Sequence, residues 1–264
     1  MPHGITLETV EPGVSRITLD RAGTLNALTF PLVEELHGRL ARVARDRATR
    51  VLLLTGANGA FCSGLDLAEL GAVADEAPER TLAKQELVGS LATALRSLPQ
   101  PVVAAVDGVA VGGGLALALA CDIRVLSDRA RLGVGFVRIG LSGCDVGTSY
   151  LLPRIVGAGV AAELMLTGRE VAGEEALRIG LASRLVPAGA LEEEALALAR
   201  AILRNSPFGV EMTKAVLRSS LDAPSLEAAI AVENRTQVLA TRTAGFAEAL
   251  GALRERREPR LDDG

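Results

Sequence analysis

Aromatic residues are nearly missing from this chain of 264 residues, which has no tryptophan, one tyrosine and five phenylalanines, 2% in all. A core so composed cannot rest on a few large rings. It must be assembled from Ala, Val, Leu and Ile through many small contacts, and at 49% apolar residues the chain is long enough to bury one. Histidine is as scarce: His3 and His37 are all there is, so a catalytic zinc site has almost nothing to draw on. Lysine is reduced to Lys84 and Lys214, and the formal net charge is −4. The absence of a basic face argues against nucleic acid and anionic membrane as partners.

Three cysteines (Cys62, Cys121, Cys144) cannot complete a disulfide framework, and none falls in a C-x-x-C pair, which points to a reducing cytoplasm. The first residues lack the basic and apolar regions of a signal peptide. No apolar run reaches the roughly 20 residues that span a bilayer; the longest, residues 109–121, is short and glycine-rich.

What is present reads as alternating strands and helices. Ile5, Leu7 and Thr9 alternate with polar residues, Pro12-Gly13 turns the chain, and Val14, Ile17 and Leu19 come next, which is the pattern of a hairpin. Leu32, Val33, Leu36, Leu40 and Val43 recur at helical spacing, with Pro31 in the first turn, where a missing N–H does no harm. Residues 51–54 and 102–106 are unbroken apolar runs of the kind buried on both faces of a parallel sheet. A helix is expected over 79–98, a short buried one over 115–120, and strands over 123–126 and 132–137. Beyond Gly168 only helices are expected, over 173–179, 191–204, 209–221 and 226–256, with Gly180 and Pro207 as stop signals. The organisation is an α/β core over residues 1–190 and a helical region over 191–264.

Two glycine-rich turns succeed buried strands. One is Gly56-Ala57-Asn58-Gly59-Ala60-Phe61-Cys62-Ser63-Gly64-Leu65-Asp66-Leu67. The other, residues 104–115, carries Asp107-Gly108 and Gly112-Gly113-Gly114. Glycine lets a backbone approach a ligand, and a helix N-terminus aims free N–H groups at developing negative charge. Two such groups facing one another would form an oxyanion hole; either turn alone serves equally well as a packing device. The triple glycine lacks the G-x-G-x-x-G spacing of a dinucleotide site.

These segments, in this order, resemble the enoyl-CoA hydratase/isomerase (crotonase) superfamily along nearly the whole chain. Residues 20–28, with Leu25-Asn26-Ala27-Leu28, resemble its first CoA-contact segment, 60–67 its first oxyanion loop and 107–122 its second. Leu164-Met165-Leu166-Thr167-Gly168, Glu174-Glu175-Ala176-Leu177, Ser206-Pro207, Thr213-Lys214 and 246–257 match its later segments. The resemblance implies a crotonase-like (ClpP/crotonase) α/β spiral of strand-strand-helix turns with a helical C-terminal region. It implies Leu65 and Gly113 as the N–H donors to the thioester, and a CoA groove drawn from Arg21, Ala27, Leu28, Gly64, Asp66 and Leu67. Leu253 and Arg256 would come from a neighbouring subunit of a trimer or pair of trimers. It also implies an acyl-CoA substrate, no metal and no cofactor beyond the CoA of that substrate, in fatty-acid or related metabolism. Where the family carries a cationic residue before the Leu-Asn-Ala stretch, this chain has Gly23, which leaves a phosphate contact to Arg21 or to nothing.

The catalytic departures are larger. The two positions that hold glutamates in the family's hydratases read Ala116 and Phe136 here, and neither moves a proton. One acid remains nearby: Asp145, in Gly143-Cys144-Asp145-Val146-Gly147-Thr148, similar to the carboxylate of the dienoyl-CoA isomerase and 4-chlorobenzoyl-CoA dehalogenase branches. Their partner residues would fall near Phe136 and Thr93, so both partners are missing. Asp145 reads either as the proton-transfer group or as the N-cap of a helix starting near Thr148. Cys144 reads as a small buried thiol, and Asp66 with Glu69 as a capping box. Two functions stay open: an enoyl-CoA isomerase, and an acyl-CoA binding protein that kept the oxyanion pocket without the acid/base pair.

Overall fold

The computed structural model describes residues 4–73 and 75–261. Strands β1 (Ile5–Glu11) and β2 (Val14–Leu19) form the expected hairpin, with Leu7 opposite Ile17. Helix α1 (Phe30–Arg45) starts where Thr29 accepts a hydrogen bond from the Leu32 N–H, and it buries the periodic set Leu32, Val33, Leu36, Leu40 and Val43. Strand β3 (Val51–Gly56) pairs in parallel with β2. Helices α2 (Leu67–Val73) and α3 (Pro78–Ser97) lead to β4 (Val102–Val106), β5 (Val109–Val111), α4 (Gly113–Ala120) and β6 (Ile123–Ser127).

Strand β7 (Arg131–Gly133) stops short of the expected 132–137. Gly135 turns the backbone to φ 73°, and 136–139 close into a 3₁₀ turn. Helices α5 (Thr148–Val156) and α6 (Ala158–Thr167) come next. The expectation of helices alone beyond Gly168 fails twice. Strand β8 (Glu170–Ala172) precedes α7 (Gly173–Arg178), and β9 (Arg184–Val186) precedes α8 (Leu191–Leu203). Three-residue strands leave no period to read. Pro207 opens α9 (Pro207–Ser220) instead of stopping a helix, as a residue without an N–H can at a first position. The single helix expected over 226–256 is two, α10 (Leu226–Ala240) and α11 (Ala244–Glu255), because Thr243 caps the Phe246 N–H and restarts the chain.

Six strands form one sheet in the order β1-β2-β3-β4-β6-β9, parallel except for the hairpin; β5, β7 and β8 form a second. The apolar runs divide by alternation. Leu52, Leu54, Val102, Ala104 and Val106 face the main core with α1, α3 and α4. Val51, Leu53, Val103 and Ala105 face the other way, where Leu191, Ala195, Leu196 and Ala199 of α8 cover them. Helix α8, beyond the 190/191 boundary, therefore belongs to the packing of the sheet. Among the described residues no helix is long and apolar enough to cross a membrane.

Candidate active site

The two glycine turns meet backbone to backbone. Cys62 N–H donates to Val109 O (2.9 Å) and Val111 N–H to Cys62 O (3.1 Å), so the first loop rides on β5. On its other side Leu28 N–H donates to Gly64 O (2.7 Å) and Asp66 N–H to Leu28 O (2.8 Å). Within this clamp the Leu65 N–H has no acceptor among the described residues. Gly113 opens α4 and its N–H likewise has none among the described residues. The two lie close: a Cβ placed on Gly113 would stand 3.9 Å from Leu65 N. Two unspent amides at such a spacing, one on a helix N-terminus carrying about half a positive charge, form an electrostatic cradle for a carbonyl oxygen that gains charge.

Glycine is required at two of these positions. Gly112 sits at φ 55°, ψ −120°, a conformation closed to side chains, with the Phe136 ring 3.3 Å from where a Cβ would be. A Cβ on Gly114 would lie 2.0 Å from Cys62 O, so the loops touch only because a methyl is missing.

The segment 20–28 is fastened by a residue whose part the residue pattern does not announce. Asn26, 2% exposed, accepts from Arg21 N–H (2.9 Å) and donates to Ala57 O (3.0 Å) and Ala60 O (2.7 Å). A buried amide inside an apolar Leu-x-Ala-Leu stretch was the available signal, since it must be fully bonded. Arg21 is spent inward, on Ala27 O (2.5 Å) and Asp66 (3.2 Å), and so fastens the two loops to each other. Ala27 and Leu28 are buried and can wall a groove only through main chain, whereas Leu67 is 74% exposed. Asp66 also accepts from Ala68 N–H (3.0 Å), which caps α2; the return bond from Glu69 that would complete a capping box is absent among the described residues. Leu253 and Arg256 lie exposed at the end of α11.

Ala116 is fully buried one turn into α4, and Phe136 packs its ring against Gly112, so neither position offers a titratable group beside the amides. Asp145 is half-buried in the turn before α5, while Val146 after it is buried. Asp145 is not the N-cap, a place taken by Gly147. Its Oδ1 accepts from Val146 N–H (2.7 Å) and from Gln85 of α3, its own N–H donates to Thr148 Oγ1 (3.1 Å), and Oδ2 has no partner among the described residues. Val146, β-branched and buried, is held at φ 45°, which costs about 1–3 kcal/mol. No hydrogen bond among the described residues joins Asp145 to the oxyanion loops. Cys144 is a free, exposed cysteine, and its neighbour Gly143 takes the inner place against Met165. The expectation of a buried thiol there fails for that reason. Burial pushes the Cys62 thiol up to about 12, so it stays protonated beside the first loop. His37 is bonded to Ser90 on α3, and His3 lies outside the described residues.

The chain is similar to known proteins along nearly its whole length. Residues 9–264 match the model of the family described as enoyl-CoA hydratase/isomerase. A Mycobacterium bovis protein named as a probable enoyl-CoA hydratase is 42% identical over 264 residues, covering 98% of this chain and 93% of its own. The 1,2-epoxyphenylacetyl-CoA isomerase of Escherichia coli is 34% identical over 256 residues, 97% of each chain. The crystal structure of an enoyl-CoA hydratase from Bacillus anthracis superimposes with a TM-score of 0.93 at 33% identity, covering 99% of this chain and all of that one.

Proposed function

The chain belongs to the enoyl-CoA hydratase/isomerase family and has the crotonase fold, and from that premise we propose that it moves the double bond of an enoyl-CoA thioester rather than adding water across it. One observation carries the reading: two unspent amides, Leu65 and Gly113, stand beside two positions, Ala116 and Phe136, that cannot move a proton. The amides hold the thioester oxygen and stabilise the enolate. Asp145 takes the Cα proton of a 3-enoyl thioester, the electron pair spreads to Cγ, and the same proton returns there to give the conjugated 2-enoyl thioester. No cofactor is needed beyond the CoA of the substrate, and the name of the Escherichia coli relative, an isomerase of an epoxyacyl-CoA, favours a CoA thioester as that substrate. Three free cysteines favour a reducing cytoplasm.

Asp145→Asn keeps the oxygen that accepts from Val146 and removes the base. Formation of conjugated thioester from 3-hexenoyl-CoA should fall by about 10²-fold or more, while acyl-CoA affinity stays within about twofold by calorimetry. Full activity in the Asn variant would reduce Asp145 to a turn residue. The second reading, a binding protein without turnover, is favoured by the engagement of Asp145 Oδ1 with Gln85, and it predicts acyl-CoA binding with no product in the parent.

A trimer or pair of trimers is part of the same proposal. No residue of helices α9 and α10 is fully buried, and Leu226, Val238, Leu239, Phe246 and Leu253 are between 42% and 76% exposed. Light scattering at micromolar concentration should give three or six times the chain mass of 27.4 kDa; a monomeric mass would remove the neighbour from which Leu253 and Arg256 are to come.

A further inference from the structure

Far from the oxyanion loops, at the other end of α4, a cavity of about 180 Å³ is walled by the last turns of α3, α4, α5 and α9. That is well above the ~10–15 Å³ a single water needs. Its wall carries Arg96, Arg124, Arg154, Lys214 and Arg218 against one carboxylate, Asp122. Two of the cations are already spent. Lys214 donates to Gln100 O (2.8 Å) and pairs with Asp122 (2.7 Å), and Arg154 pairs with Asp222 (3.1 Å).

The other three are not. Arg124, 8% exposed, donates through Nε to Leu181 O (2.7 Å) and through Nη1 to Cys121 O (2.8 Å), but its Nη2 has no partner among the described residues. Arg218 gives one bond, to Arg96 O (2.7 Å). Arg96 makes no side-chain hydrogen bond, and none of the three forms an ion pair among the described residues. Helix C-termini offset about half a charge each, and Asp122, a single negative charge, already takes Lys214 and the Val102 N–H (2.7 Å) on its Oδ2. Burial presses the pKa of Arg124 and of Lys214 downward, against the opposing pull of Asp122.

We propose that this cavity binds a phosphate-sized oxyanion through the unspent donors of Arg96, Arg124 and Arg218. Guanidinium forks suit oxyanion geometry, and a charge-assisted bond is about twice as strong as a neutral one. The oxyanion is either free or the end group of an ester.

Calorimetric titration of the full-length chain with inorganic phosphate, at ionic strength held with chloride, tests the site. Saturable binding of one phosphate per chain is expected, at about millimolar affinity or tighter. Arg96→Gln with Arg218→Gln should weaken it at least about tenfold, while Arg42→Gln with Arg45→Gln on α1 should leave it unchanged. Should the first pair unfold by circular dichroism, Arg218→Gln alone, an exposed residue, carries the comparison with a smaller loss. Phenyl phosphate separates the sources: binding equal to phosphate means that an ester end group enters, and phosphate binding alone means a free ion. Absence of saturable phosphate binding in the parent, or equal affinity in parent and variant, overturns the proposal.

Discussion

Crotonyl-CoA should be hydrated at least about 10⁴-fold more slowly by this protein than by a family member carrying both glutamates, because general acid and general base each contribute about 10²–10⁴-fold. Water addition needs one group to direct the attacking water and another to protonate Cα. Ala116 is sealed inside α4 and Phe136 offers a ring where a carboxylate would stand. The oxyanion cradle alone polarises the thioester and cannot deliver a proton. Loss of the conjugated thioester absorbance reads the rate directly. An ordinary enzymic rate would mean that another carboxylate reaches the substrate. Asp66 is bound on both oxygens by Ala68 and Arg21, so Glu69 would be the one to replace with Gln next.

Gly113→Pro should cost about 10²–10³ in turnover, the loss typical of one oxyanion donor. The residue pattern suggests that proline would also strain a turn needing glycine, but the structure gives a different reason. Gly113 is the first residue of α4 and its φ is not positive, and proline suits a first helical position. The added Cβ comes within 3.3 Å of the end of Leu28 and no nearer than 3.7 Å to any main chain. The variant should therefore fold with a near-parental melting temperature and lose the N–H itself. Parental turnover in a folded variant would remove Gly113 from the oxyanion pair.

Long elements were legible because their patterns repeat: five buried positions on α1 and two apolar runs suffice to place α1, β3 and β4. The three-residue strands β8 and β9 were not, and neither was the break at Thr243, since a single cap decides it locally while the apolar spacing runs on across it. At the site, the glycines marked the two loops, but what fastens them is Asn26 and Arg21, whose partners are carbonyl groups 31 and 6 residues away. Pairing of that kind depends on where the chain returns, which residue types alone do not encode. Asp145 was found as an isolated acid, and its turn, with Val146 held against its preference, only emerges in three dimensions.

The proposed oxyanion pair is made wholly of peptide groups, and main-chain contacts set it directly: Leu28 to Gly64, Cys62 to Val109, Gly114 against Cys62. The side chains of Asn26 and Arg21 fasten the loops, but those at 116 and 136 make none of these bonds. On the proposed reading, residues at 116 and 136 can be exchanged without displacing either donor, so substrate capture and proton delivery would vary independently. Sequences a few substitutions apart can share one binding event and still part company in the product they release.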